Sequence, residues 1–169
     1  MSIGQVFLYE FTQEMAGTRK TLERVPEDKF AWKPHDKSGA MSWLAGHVAD
    51  LPHWGTITMS TEALDIDPPG GPAYTPFIPR SSQELMEYFD RNVSEAQKAI
   101  TAADDAAWSK PWSLLKNEQT IFTVPRIVCM RSFVMNHLIH HRAQLGVYLR
   151  LNDIPVPALY GPSADETGL

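Results

Sequence analysis

Three of the six histidines in the chain lie within five residues, in the segment FVMNHLIHHRAQLGVYLR that spans residues 133–150. They are His137, His140 and His141. Imidazole nitrogens bind divalent metals and transfer protons near neutral pH, so such a group indicates metal binding or acid–base chemistry. Which of the three could act together depends on the side of the predicted helix that each one occupies.

Helical geometry separates these three histidines. Each residue advances about 100° around a helix, so His137 and His141 differ by about 40° and share one face. That face also carries large apolar residues such as Phe133, and we therefore expect it to point into the protein. His140 lies at the edge of the face. Arg142 lies further round, where we expect it in solvent or at an interface.

A fourth histidine, His47, has a similar position on an earlier predicted helix. Trp43 and Trp54 fall on the same stripe of that helix, because offsets of four and seven residues return to one face. His47 is therefore also predicted to point inward. His53 is turned about 120° away from it, and His35 lies in a connecting loop.

Three inward-facing imidazoles need partners, because burying an unpaired polar group costs about 1–3 kcal/mol. One divalent metal ion would satisfy His47, His137 and His141 together, and neutral imidazole suits zinc, nickel, copper and iron. Three histidines with open water positions also form the ligand set of some catalytic zinc sites. The sequence therefore predicts a three-histidine site for one divalent metal ion, with zinc or nickel first. Taken singly, His47 could instead be a hydrogen-bonded core residue.

Asp50 lies one turn after His47 and has two alternative interpretations. Its carboxylate could accept a hydrogen bond from an imidazole N–H and so orient a metal ligand. The more common case is an ordinary solvated or helix-capping aspartate. The sequence leaves this choice open.

Four long amphipathic segments supply the elements that would position these histidines. Apolar spacing predicts helices over about residues 2–22, 41–63, 81–103 and 126–151, and Pro52 is expected to kink or split the second. The proline- and glycine-rich segment 65–80 predicts a long crossover loop. Residues 111–124 are consistent with a short hairpin before the last helix. The predicted fold is an all-α, antiparallel four-helix bundle.

The composition favours one globular domain. Of 169 residues, 43% are hydrophobic and 21% charged, so residues 1–169 are predicted to form a single domain with an irregular tail over 152–169. A net charge of -5 without a basic cluster argues against nucleic-acid binding. No apolar run is long enough for a membrane helix, and the N-terminus lacks the signal-peptide pattern. Cys129 is the single cysteine, so we expect a cytoplasmic protein whose metal ligands are nitrogen or oxygen atoms.

Several segments resemble the DinB-like family, which includes the YfiT-type proteins. They are SWLAGHVADLPHW on the second predicted helix, NHLIHHRAQLGVYLRLNDIPVP on the fourth, and ALYGPSADE in the tail. The resemblance covers nearly the whole chain and implies a four-helix-bundle metalloprotein whose metal triad maps onto His47, His137 and His141. The family commonly has glycine where this chain has Ala143, a departure that leaves the three histidines intact.

The resemblance also implies a chemistry, because some relatives are thiol-dependent S-transferases or isomerases. The leading hypothesis is a metal-dependent enzyme that acts on a small-molecule substrate, with a low-molecular-weight thiol as cosubstrate or with water for hydrolysis. His53, His140 and Asp50 are the candidates for a general base. The alternatives are a non-catalytic metal- or ligand-binding bundle, and a bundle that binds no metal. Homodimers are common among the relatives, so we also expect a homodimer.

Overall fold

Long helices surround one hydrophobic core in the computed structural model, which describes residues 1–167. The helices in chain order are α1 (Ile3–Leu22), α2 (Met41–Ser60), α3 (Ser82–Ala102), α4 (Asp105–Ser109), α5 (Arg126–Val128) and α6 (Asn136–Arg150). A π-helical stretch, Cys129–Met135, joins α5 to α6, and a 3-10 turn spans Glu27–Lys29. The long helices lie where the apolar spacing predicts them.

Local signals in the sequence set where several helices begin. Ser2 and Gln5 form a reciprocal capping box at the start of α1, and the Ser81 side chain accepts a hydrogen bond from the backbone N–H of Glu84 at the start of α3. Such caps satisfy N–H groups that have no partner within the helix. Of the two outcomes expected at Pro52, a kink or a split, the split is not found, because α2 runs unbroken from Met41 to Ser60.

A small mixed sheet packs beside the helices, so the prediction of an all-α four-helix bundle is wrong. Strand β1 (Ala63–Asp65) pairs in parallel with β2 (Pro111–Lys116), and β2 pairs antiparallel with β3 (Gln119–Pro125). The β2–β3 pair is the hairpin for which the sequence gives a signal. Strand β1 was missed because three residues are too few to show a period-two pattern.

The hairpin is specified by its turn and by one apolar face. Asn117 and Glu118 both have positive φ angles, 51° and 60°, which match the twist of a two-residue hairpin turn. Trp112 and Leu114 on β2 are 0% and 5% exposed, whereas Ser113 between them points outward. The alternation places large apolar side chains against the helical core.

A buried ion pair ties α6 to α1, and the expectation that Arg142 lies in solvent or at an interface is wrong. Arg142 is 3% exposed, and its Nη2 lies 2.7 Å from Oε2 of Glu14. The hydroxyl of Tyr160, in the C-terminal tail, donates to Glu14 at 2.8 Å and accepts from Arg142 at 2.8 Å. The tail is therefore fastened to the helices at this point.

Candidate metal centre

The structure brings together the three histidines that the sequence singles out. His47 lies on α2, and His137 and His141 lie one turn apart on α6. One ring nitrogen from each can be chosen so that all three nitrogens lie within 4.8 Å of one another. The Nε2 atoms of His47 and His137 are 3.3 Å apart. We call His47, His137 and His141 the three-histidine cluster.

Hydrogen bonds on the far side of two rings orient their free nitrogens toward the cluster. Nδ1 of His137 lies 3.3 Å from the carbonyl oxygen of Phe133, and Nδ1 of His141 lies 2.7 Å from Oε1 of Gln144. Both oxygens are acceptors, so in each ring Nδ1 is the protonated nitrogen and Nε2 keeps its lone pair. This is the arrangement by which a carbonyl or amide oxygen orients a histidine that binds a metal.

The donor set fits a divalent metal ion. Zinc–nitrogen bonds of about 2.0–2.1 Å in a tetrahedral site place two ligand nitrogens about 3.3–3.4 Å apart. The Nε2 atoms of His47 and His137 already have this separation, and side-chain rotation within the 4.8 Å limit would bring in the third nitrogen. Three neutral nitrogen donors suit zinc, nickel, copper or iron.

The cluster is half-buried, and this keeps its imidazoles unprotonated. Burial lowers the pKa of His47 to about 4, with a smaller contribution from His141 and His137 beside it. Burial is also the largest cause that lowers the pKa values of His137 and His141. Near neutral pH all three rings are therefore neutral, which is the form that binds a metal.

Residues 10–145 match the sequence pattern of the DinB superfamily. The chain belongs to the DinB superfamily. No curated protein matches it. Among solved structures it is similar to a DinB-like protein from Bacillus cereus (TM-score 0.70, 19% identity, 94% of this chain and 98% of that chain covered). It is also similar to a DinB-like protein from Bacillus subtilis (TM-score 0.69, 16% identity, 90% and 96% covered). At such identities the likeness shows a shared fold alone.

The remaining histidines of this DinB-superfamily chain lie outside the three-histidine cluster. His140 is exposed, although its ring centroid lies 4.9 Å from that of His141. His53 is half-buried on α2, and its Nδ1 has no hydrogen-bond partner among the described residues. His35 is exposed in the loop before α2. No helix within residues 1–167 is long and apolar enough to cross a membrane.

Aromatic rings form the walls beside the cluster. The indole of Trp43 stacks on the ring of His47, with centroids 5.4 Å apart and planes 11° apart, and it is 38% exposed. Phe133 lies 5.7 Å from His137 and 5.4 Å from Trp54, measured between ring centroids. Two members of the cluster are thus each in contact with an aromatic ring.

Asp50 accepts hydrogen bonds from none of the imidazoles, and it is neither solvated nor a helix cap. Its side chain is 2% exposed. One carboxylate oxygen accepts hydrogen bonds from Nε1 of Trp54 at 3.0 Å and from the hydroxyl of Tyr74 at 2.6 Å, and the other accepts from the hydroxyl of Tyr88. Burial and the nearby carboxylate raise the pKa values of both tyrosines, so both remain donors. The sequence could not reveal this role, because the two tyrosines are distant in the chain.

These contacts fasten the crossover loop between β1 and α3 against the helices. Tyr74 comes from that loop and Tyr88 from α3, and the ring of Phe77 in the loop stacks on Tyr88 with centroids 3.7 Å apart. Gly46, next to His47, permits the close approach, because a Cβ there would lie 2.2 Å from the carbonyl oxygen of Phe77. The crossover loop therefore contacts α2 at Gly46, the residue next to His47 of the three-histidine cluster.

We expect the substitution Asp50→Ala to lower the free energy of unfolding by about 2 kcal/mol. It removes the acceptor of three donors, and leaving a buried donor unsatisfied costs about 1–3 kcal/mol. Urea unfolding followed by circular dichroism measures the change, and protease cleavage in the loop should become faster. Asp36→Ala is the control, because the side chain of Asp36 is fully exposed. Equal stability of the two variants would contradict the role given to Asp50.

The lowered pKa of His47 predicts how the stability of the metal-free protein depends on pH. The unfolded chain protonates this ring below about pH 6.5, whereas the folded protein does so only near pH 4. Between these values the unfolded state binds more protons, so stability falls as the pH is lowered from 6.5 to 4. Melting temperatures measured across this range should fall less steeply for His47→Gln than for the wild type. The exposed-loop variant His35→Gln should keep the wild-type slope.

Proposed function

We propose that this DinB-superfamily chain binds one divalent metal ion, zinc or nickel, through His47, His137 and His141. The observation that carries the proposal is the convergence of three neutral imidazoles from two helices, two of which are oriented through Nδ1 by oxygen acceptors. A chance group of buried histidines would have no need for unprotonated nitrogens that face one another. Other divalent metals with a preference for nitrogen ligands remain chemically compatible.

We further propose that the metal site serves an enzyme that acts on a small molecule. When bound, such a metal lowers the pKa of a water or thiol ligand and supplies a nucleophile near neutral pH. The protein residues would orient the ligands through Phe133 and Gln144 and would shield the site with the Trp43 indole. The reaction would be S-transfer or isomerisation with a low-molecular-weight thiol, or hydrolysis with water. His140, exposed beside His141, is the residue best placed to exchange a proton with solvent.

One observation favours a non-catalytic metal- or ligand-binding protein as the second candidate. Asp50, the carboxylate expected near the site, already accepts three hydrogen bonds, and its environment is closed to solvent. It is therefore poorly placed to take a proton from a substrate, since a general base must reach the proton that it removes.

A metal-binding experiment on untagged protein tests the first proposal. We expect purified protein to contain zinc or nickel by elemental analysis, or to bind either ion after chelation, with a rise in melting temperature at saturating metal. A chelator should reverse the rise. A protein that contains no metal, and whose melting temperature does not respond to either ion, would rule the site out.

An activity assay distinguishes the proposed enzyme from the alternative of a non-catalytic binding protein. Holo and metal-free protein would be assayed with a panel of low-molecular-weight thiols and electrophilic acceptors, and separately with hydrolysable esters and amides. Metal-dependent turnover with any pair supports the enzyme. Binding of metal and thiol without turnover across the panel supports the second candidate.

A further inference from the structure

Arg126, the first residue of α5, is a buried cation that the three-histidine cluster does not use. Its side chain is 8% exposed. Its Nη2 donates to the backbone oxygen of Thr61 at 2.6 Å, whereas its Nε is buried without any hydrogen-bond partner. Within residues 1–167 the guanidinium forms no ion pair with a carboxylate. Buried arginine without a counter-ion is uncommon, because the charge must leave water.

The hydrogen bond to Thr61 compensates only part of the free-energy cost of burying the charge of Arg126. Thr61 is the C-cap of α2, and the last carbonyl groups of a helix carry a partial negative charge of about half an elementary charge. A guanidinium is always ionised and has five N–H donors arranged as a planar fork. One of the five is used here, and the buried Nε donor has no acceptor in the described part of the chain.

Arg126 also lines a cavity of about 490 Å³ on the outward face of the sheet. Lys110 contributes a second cation, and Ser113 and Thr123 on neighbouring strands contribute hydroxyl groups whose oxygens are 2.7 Å apart. One of these two hydroxyl groups donates its proton to the oxygen of the other, so the second hydroxyl group can still donate to a ligand. Two cations and a free hydroxyl donor thus face one cavity in a chain whose net charge is -5.

We propose that this cavity binds the carboxylate group of a small organic monoanion. A planar carboxylate matches the arginine fork with two parallel hydrogen bonds, and the Lys110 ammonium adds a point charge. Glu62 lines the same cavity, and its negative charge repels a doubly charged anion such as phosphate more strongly than a monoanion. Ala63 and Pro111 complete the lining with apolar surface for the organic part of the ligand.

This cavity is separate from the three-histidine cluster. None of the three histidines lines it. The opposite face of β3 points toward the cluster instead, since Phe122 packs on Phe133 with ring centroids 5.3 Å apart and Phe133 in turn contacts His137. A ligand on the outward face therefore binds whether or not the histidines hold a metal.

A titration of metal-free protein with sodium acetate and sodium propionate tests the site. A chelator without carboxylate groups, such as phenanthroline, is kept in the buffer so that no metal can bind the titrated carboxylate, and ionic strength is held constant with sodium chloride. We expect a saturable shift of the Arg126 Nε–H signal and of the Ser113 amide signal in nitrogen–proton NMR spectra, with a dissociation constant on the order of millimolar. Sodium phosphate and sodium chloride should shift these signals far less.

Three variants assign the binding to this cavity. Arg126→Lys should weaken propionate binding at least fivefold, and Lys110→Ala, a change at an exposed side chain, about threefold. Lys116→Ala removes an exposed lysine at the end of β2 that does not line the cavity, and it should bind as the wild type does. Absence of saturable binding overturns the proposal, as does equal affinity in the wild type and Lys110→Ala. Tighter binding of phosphate than of propionate overturns the assigned ligand class.

Discussion

A His137→Ala variant is expected to bind zinc and nickel at least about 100-fold more weakly than the wild-type protein. Losing a residue that merely orients a metal ligand costs about 10–100-fold in affinity, so losing a ligand costs at least the upper end of that range. His137 is central to the cluster, because its Nε2 lies 3.3 Å from that of His47 and its ring centroid 4.7 Å from that of His141. Competition with a chromophoric chelator measures both affinities.

His140→Ala is the matched control for this substitution. It removes the same side chain three residues further along the same helix, but His140 is exposed and does not belong to the cluster. Its metal affinity should stay within about threefold of the wild type. Gln144→Ala should fall between the two variants, because it removes the acceptor on Nδ1 of His141. Equal losses in His137→Ala and His140→Ala would show that the wrong histidines have been chosen.

Glu14→Ala is expected to cause the largest loss of stability among the single substitutions considered, about 3 kcal/mol. It removes the carboxylate that pairs with Arg142, and an unpaired buried charge costs about 3–5 kcal/mol. Thr18 and the backbone oxygen of Glu14 still accept from Arg142 at 3.1 and 3.0 Å, so the lower end of that range applies. For a chain of this length the melting temperature should fall by roughly 6–12 °C.

Glu10→Ala provides the control one turn earlier on α1. Glu10 also pairs with an arginine, Arg131 of the π-helical stretch, but these two side chains are 36% and 47% exposed. Exposed ion pairs contribute about 0–1 kcal/mol, so the melting temperature should change by no more than about 4 °C. A similar effect of the two substitutions would mean that burial does not decide the strength of the Glu14–Arg142 pair.

Part of the fold follows from local sequence. The long helices begin and end close to the residues that apolar spacing predicts, and the structure shows caps at Ser2 and Ser81. The fold class does not follow, because β1 is three residues long and exists only through its pairing with β2, about 50 residues later. When a short strand forms only by pairing with a distant segment, its own residues need not show the alternating pattern by which strands are predicted.

The same distinction applies to charged residues. Helical geometry places Arg142 off the apolar face of α6, and from this alone it should lie in solvent or at an interface. The structure buries it against Glu14, whose position on another helix no local rule can supply. Asp50 was similarly undetermined, since its partners Tyr74 and Tyr88 come from a loop and a helix further along the chain.

The sequence by itself determined which histidines face inward, because the direction of a side chain on a helix depends only on residue spacing. It also divided His137 and His141 from His140 for that reason. The tertiary structure decided what those side chains meet. The distance between His47 and His137 and the buried Nε of Arg126 that has no partner within residues 1–167 both depend on how helices and strands pack. Packing joins residues that are far apart in the chain, and spacing along one element carries no information about such pairs.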